Sequence, residues 1–268
     1  MKRMIRPFAI AFCATVVLVS CKKDTAPQED QISEDVLTQI YNHGFGKTNV
    51  QKVDEGYLVE GDIILTTEFL NSTPGGNFLR IANNEQYRTT NLVNAGGGRV
   101  ITVSMDPKLK AKAGYTQALQ EMVNRYNAQN LLLSFQVVAS GGTINFVDAG
   151  GPYLASAGFP SGGNPYPQVK VYSRNVGEGT TTTFINYAAT IFAHEVGHCI
   201  GFRHTDYMDR SYSCGGAYSN EGASSVGAVH IPGTPTTADA GSWMLACIGR
   251  NQNRYFNPND QTALGYLY

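Results

Sequence analysis

Charge is scarce in this chain of 268 residues: 15% of the side chains are charged, and 20 Lys+Arg against 21 Asp+Glu leave a net of −1. Low charge combined with 29 glycines excludes a coiled coil or a long disordered tail, both of which need charge-rich sequence. No two basic residues are adjacent beyond residue 23, so the electrostatic footprint of a nucleic-acid partner is missing. The longest apolar run, residues 8–19, is too short for a comfortable membrane span, and no segment repeats. Histidine and cysteine number five each. Where such rare residues cluster, the spacing is informative.

The first 21 residues read MKRMIRPFAIAFCATVVLVSC. Three cations (Lys2, Arg3, Arg6) lie on one flank of an apolar run that ends in small residues, the layout of a secretory signal peptide. Leu18-Val19-Ser20-Cys21 resembles the lipobox of bacterial lipoproteins, which implies removal of residues 1–20, lipidation of Cys21, and an exported protein tethered to the cell envelope. Two acyl signals satisfy the requirement for stable attachment. Removal of residues 1–20 takes three cations and no acid, leaving 17 basic and 21 acidic residues, a net of −4. Cys199, Cys214 and Cys247 then remain, in a compartment that permits disulfides. They can close at most one bridge, and spacing alone does not choose it. Cys199 falls in an apolar helical stretch where a thiol packs as a small apolar residue, so Cys214 with Cys247 is the favoured pair.

Residues 22–32 are polar and aperiodic and read as a tether. Residues 33–41 read as a short helix capped by Ser33, and residues 57–59 and 63–65 as extended segments around Glu60-Gly61-Asp62. Residues 89–98 (TTNLVNAGGG) are the best linker in the chain. Strands are expected at 100–105, 131–138, 143–147, 154–159 and 168–172, with helices at 111–128 and 184–200. A loop-rich stretch then leads to a closing helix at 259–268, capped near Asn257 or Asn259. The division is a leader (1–20), a tether with a candidate pro-segment (21–98) and an α+β domain (99–268). A domain of that length buries roughly 70% of its unfolded surface.

The second main helix ends in His194-Glu195-Val196-Gly197-His198-Cys199-Ile200-Gly201-Phe202-Arg203-His204. Two histidines four apart lie within about 40° on one helix face. Stacked one turn apart, they can bind one tetrahedral zinc through nitrogen. Glu195, one residue after the first, points beside such a metal, where a carboxylate can deprotonate a bound water. Gly201 lets the helix turn sharply so that His204 returns as a third ligand, leaving a fourth position open.

This HExxHxxGxxH pattern resembles that of the metzincin zinc peptidases. The resemblance implies a twisted mixed sheet, two main helices, and a loop-rich C-terminal subdomain with a methionine turn and a closing helix. Ser242-Trp243-Met244-Leu245-Ala246 is similar to that turn, with Met244 as an apolar floor and residues 245–249 walling the pocket on the leaving-amine side. Residues 154–160 resemble the edge strand that pairs with substrate, and 260–268 the closing helix. HEVGHCIGFRHTD followed by Ile231-Pro232-Gly233-Thr234-Pro235 looks most like the M57 "HEIGH" peptidases. Departures are visible too. Ala246 stands where astacins and serralysins place a tyrosine, so an oxyanion donor must come from elsewhere, with Tyr207, Tyr212 and Tyr255 unranked. His43 and His230 are too few for a second zinc and read as surface loop residues. Gly-rich loops around Asp148 give a weak calcium signal. Val59-Glu60-Gly61-Asp62-Ile63 resembles the FxGDI motif of astacin pro-segments, which implies that Asp62 ligates the zinc and keeps the enzyme latent as a zymogen.

The expectation is a lipid-anchored zinc endopeptidase acting on proteins or peptides. The alternative is a catalytically inactive, zinc-containing surface binding protein, against which the retention of Glu195 argues.

Overall fold

The computed structural model describes residues 32–72, 86–220, 228–235 and 237–268; the apolar leader and Cys21 lie outside them. In chain order the elements are α1 (Glu34–Asn42), β1 (Gln51–Val53), β2 (Gly56–Val59), β3 (Ile63–Thr66), α2 (Thr67–Asn71), β4 (Tyr87–Arg88), β5 (Arg99–Met105), α3 (Pro107–Lys110) and α4 (Tyr115–Asn127). They continue with β6 (Leu133–Val137), β7 (Ile144–Asp148), β8 (Ala155–Gly158), β9 (Gln168–Val171), α5 (Ser173–Val176), α6 (Thr182–Ile200), β10 (Phe202–Arg203), α7 (Ser211–Cys214), β11 (Val229–His230) and α8 (Pro258–Leu267). The architecture is α+β with a mixed sheet, two main helices and a loop-rich C-terminal stretch, as expected. No helix among the described residues is long and apolar enough to cross a membrane.

Eight strands form one sheet in the order β1-β2-β3-β8-β9-β7-β5-β6. Strands β6, β5, β7 and β9 run parallel, β8 is antiparallel to β9, and β3 is parallel to β8. The sheet packs with α4 and α6 around a single large core. Helix α6 is apolar nearly all round and buried from Tyr187 to Ile200, as a helix crossing a core must be. Thr181 caps its start by accepting from the Phe184 N–H. Gly201 ends it at φ 113°, where a Cβ would lie 2.9 Å from the Asn91 carbonyl oxygen.

The boundary at residue 99 is one of sequence texture, not of space. Period-2 alternation puts Leu58 and Ile64 into the main core and Val59, Ile63 and Leu65 into a second cluster with Ile40, Phe45, Leu70 and Phe159. The N-terminal segment from α1 to β3 therefore shares side-chain packing with the domain that follows. Residues 154–159 are correspondingly not an open edge. The Ala157 N–H donates to the Asp62 carbonyl at 2.8 Å, with Ile63 and Ile64 in register with Ala157 and Gly158. The expected linker is also held at most of its positions. The Thr89 N–H donates to Gly201, Val93 is buried with its N–H on the Tyr268 hydroxyl, and Asn94 donates to Gly163. Residues 94 and 96–98 are exposed along it, Asn94 being tied through its backbone to Gly163.

Asp260 ties the C-terminal stretch together from a buried position in α8. Its Oδ1 accepts from the Gln86 amide and the Ser242 hydroxyl, and its Oδ2 from the Trp243 and Asn257 N–H groups. An amide in its place would turn one acceptor into a donor facing donors. Asp260→Asn is expected to cost about 2–3 kcal/mol in denaturant unfolding, against about 1 kcal/mol for loss of the Asn257 cap in Asn257→Ala.

Candidate metal centre and active site

Helix α6 carries His194 and His198 on one face with ring centroids 4.7 Å apart. Each ring is fixed from behind. His194 Nδ1 donates to the Trp243 carbonyl at 2.9 Å and His198 Nδ1 to the Phe202 carbonyl at 2.8 Å. Carbonyl oxygens only accept, so both Nδ1 atoms hold the proton and the two Nε2 atoms face each other at 3.1 Å as lone pairs. His204 returns through the Gly201 turn and strand β10, its ring 4.9 Å from His198 and 5.3 Å from His194. Converging lone pairs at this distance repel unless a positive centre lies between them.

The turn between β2 and β3 delivers a fourth donor. Asp62 Oδ2 lies 3.1 Å from His204 Nε2 and 3.5 Å from His194 Nε2, and one ligand atom from each of the four residues falls within 4.8 Å of the others. Donors held ~2.0–2.1 Å from a tetrahedral centre sit ~3.3 Å from one another, so the separations fit a single ion. The donor set, three imidazole nitrogens and one carboxylate oxygen, suits zinc. Burial pushes the Asp62 carboxyl up, but the imidazoles of His204, His194 and His198 outweigh it and hold the group well below the usual carboxylate range. Burial and its two neighbouring rings keep His198 neutral. A carboxylate held as an anion beside the neutral His198 ring suits a metal site. Asp62 Oδ1 is itself buried without a hydrogen-bond partner among the described residues.

Glu195 lies beside this cluster. It is buried, and its Oε2 has no hydrogen-bond partner among the described residues. Burial, then the nearby Asp62 charge, push its carboxyl well above the usual range, with His204 opposing. A buried, unpartnered carboxyl of raised pKa in a cleft is the profile of a general base.

Comparison with protein families matches residues 58–268 to Peptidase_M57, the dual-action HEIGH metallo-peptidases. The chain belongs to this family. A structure of myroilysin is similar at 16% identity, covering 66% of this chain and 96% of that one, with a TM-score of 0.40. The GM1-bound form of the ECX AB5 holotoxin is similar at 17% identity over 52% of this chain and 66% of that one, with a TM-score of 0.33. A search of curated proteins finds no match.

Below the M57 histidines lies Met244, fully buried against Gly197. The Thr205 N–H donates to its carbonyl at 3.0 Å, tying the turn to the residue after His204. The structure pairs Cys214 with Cys247, so α7 and the segment after Met244 are covalently joined, while Cys199 is free and buried. Calcium finds no support at Asp148. The ligand cluster around Asp62 is the only group of three or more candidate ligands found among the described residues. His43 is a correction: it is buried against Phe69 with its Nε2 on the Leu70 carbonyl, because the N-terminal segment has a core of its own. His230 pairs with the Thr234 hydroxyl. None of Tyr207, Tyr212 and Tyr255 lines the cleft. Tyr207 packs edge-on against Tyr87, Tyr212 donates to Ala238, and Tyr255 lies under the Arg125 guanidinium.

Sequence reasoning missed the residue that holds Asp62 in place. Arg203, fully buried one position before His204, grips Glu60 with Nη2 at 2.8 and 2.7 Å from its two oxygens, and its Nη1 donates to the Gly44 carbonyl. Arg210 donates to the Glu60 carbonyl from the other side. Removing one partner of such a buried pair costs about 3–5 kcal/mol. The only signal in sequence was the position of each residue, Glu60 two before Asp62 and Arg203 next to His204.

A Cβ at Gly197 would lie 2.5 Å from Met244 Sδ and 3.3 Å from Trp243 Nε1. Gly197→Ala should cost about 1–3 kcal/mol and weaken metal retention. Adding Met244→Ala should make the double variant less destabilised than the sum of the single ones, as read by thermal melting and bound-metal analysis.

Proposed function

We propose that the chain is an exported, lipid-anchored zinc endopeptidase made in a latent form. The observation that carries the reading is the convergence of three imidazoles and the Asp62 carboxylate on one point, with an unpartnered, buried Glu195 beside it. His194, His198 and His204 would hold zinc, which when bound supplies a Lewis acid for the scissile carbonyl and lowers the pKa of a water towards ~7. Glu195, beside the cluster, would accept a proton from the attacking water and pass it to the leaving amine. Once β3 has left β8, substrate would add there as an extended strand, the β8 backbone offering sequence-tolerant hydrogen bonds.

Two contacts of the N-terminal segment support latency. The Asp62 side chain fills the fourth donor position, and its carbonyl takes the Ala157 N–H of β8 that an incoming strand would need. The Arg203–Glu60 pair fastens the turn between β2 and β3 over the metal cluster. A cut in the exposed 96–98 turn separates this segment from the histidines in sequence and would release both blocks. The anchor reading rests on the leader and Cys21.

The test uses the full chain, its Asp62→Ala variant, and that variant with Glu195→Gln or His198→Ala, on an unfolded protein with and without a chelator. The parent should be slow, Asp62→Ala faster and chelator-sensitive, and Asp62→Ala cut at residues 96–98 faster still, because the cut also frees β8. Glu195→Gln should retain zinc and lose at least ~10²-fold in kcat, and His198→Ala should lose zinc. Equal rates for parent and Asp62→Ala, both whole and cut at residues 96–98, would overturn latency. Near-normal turnover in Glu195→Gln would overturn the base. Zinc bound without cleavage in the parent and in Asp62→Ala, whole and cut, would point to a binding protein. For the anchor, Cys21→Ser should move the protein from the membrane to the soluble fraction, and continued membrane association would exclude lipidation there.

A further inference from the structure

Beside the metal cluster lies a cavity of about 270 Å³. That is at the small end for a ligand site and suits one or two side chains rather than a cofactor. Asp62, His194 and Glu195 line it together with apolar groups that include Leu154, Ile191, Leu245 and Ile248. Among this lining is the cationic side chain of Arg254.

Arg254 is built into the wall. Its N–H donates to Thr190 Oγ1 at 3.1 Å, and Thr190 sits on α6 one turn before His194. Its carbonyl accepts from the buried Arg125 guanidinium, and its own Nη1 donates to the Cys247 carbonyl at 2.9 Å, another group of the cavity wall. Among the described residues Arg254 forms no ion pair, whereas Arg125 pairs with Glu121 and Arg203 with Glu60. The acids nearest to it electrostatically, Asp206 and Asp260, are taken up elsewhere. Asp206 accepts from the Ala246 N–H and the Ser213 hydroxyl, and Asp260 from four other donors. Half-burial pulls the Arg254 guanidinium down while those two acids oppose, and an arginine remains charged throughout. A guanidinium has five N–H donors, and one carbonyl does not satisfy them.

We propose that Arg254 makes this cavity a specificity pocket for an acidic side chain, so that the enzyme cleaves before Asp or Glu. The proposal rests on the endopeptidase reading above. Because Glu195, which hands the proton to the leaving amine, lines the same cavity, the side chain received is that of the residue on the amine side of the scissile bond. Apolar walls exclude water and strengthen a carboxylate–guanidinium contact, which can be bidentate. Arg210 also lines the cavity, with a guanidinium nitrogen already on the Glu60 carbonyl, so it adds positive potential to the same space.

The experiment takes the full chain carrying Asp62→Ala, whole and after a cut at residues 96–98, and first establishes chelator-sensitive cleavage of unfolded casein. It then measures kcat/KM on peptides identical except for Asp, Glu, Asn, Leu or Lys after the scissile bond. The acid-to-Leu ratio should be about tenfold or more and should fall at high salt. Arg254→Ala should bring the ratio to about one, Arg254→Glu should shift preference to Lys, and Arg254→Lys should preserve much of the preference for acid, each variant being checked for zinc content and melting temperature. A preference for Leu that persists unchanged in Arg254→Glu would overturn the proposal and leave an ordinary apolar pocket. Failure to cleave casein or any peptide would overturn the endopeptidase reading itself.

Discussion

Two imidazole nitrogens face one another at 3.1 Å in the core of this protein, each bare because a carbonyl behind its ring keeps the proton on the other nitrogen. That arrangement is stable only around a positive centre, and much of the surrounding structure serves to impose it. Helix α6 must be buried on nearly all sides to hold both rings, Gly197 must lack a side chain to admit Met244, and Gly201 must adopt a left-handed conformation to bring back His204. The carbonyl acceptors come from Phe202 and Trp243, which meet ring edge to ring face at 5.1 Å, so the groups that orient the histidines are anchored in the same core as the helix.

Asp62 closes the cluster from the opposite side of the sequence. A carboxylate within 3.1–3.5 Å of two of the ring nitrogens also supplies charge balance. The surrounding contacts are graded from rigid to adjustable. His194 and His198 sit on a long helix, whereas Asp62 sits on the turn before a four-residue strand and depends on Glu60, Arg203 and a small satellite core. The elements that form the cleft thus differ in how much packing would have to be lost for each to move.

Local patterns in the sequence were enough to place most of the elements and the three histidines. The HExxHxxGxxH spacing is written within eleven residues, and helix periodicity brings its members together without reference to anything distant. The hairpin around Glu60-Gly61-Asp62 was similarly visible, and so was a cap for α8 at Asn257 or Asn259, of which the structure takes Asn257 with a full capping box. What stayed hidden joins segments far apart. The Arg203–Glu60 pair spans 143 positions and the Asp62–His204 contact 142, separations that leave no periodic trace. The 154–159 stretch has the composition of an edge strand, and nothing in its small side chains signals that β3 lies against it. Likewise Thr89, Val93 and Asn94 look like linker residues because their ties to Gly201, Tyr268 and Gly163 run through backbone groups, which carry no residue identity.

The exposed turn at residues 96–98 lies in sequence between the turn that bears Asp62 and the helix that bears His194 and His198. While the chain is whole, the carboxylate is delivered to the rings at an effective concentration in the millimolar range, set by the connecting peptide and not by how much protein is present. Once that connection is cut, the same contacts become those of two separate molecules and obey mass action. Were the protein exported as proposed, the volume around it would be open, and dilution alone would keep the two pieces apart. Under the proposed latency, one nick therefore makes activation a one-way event without any change in the strength of a single bond.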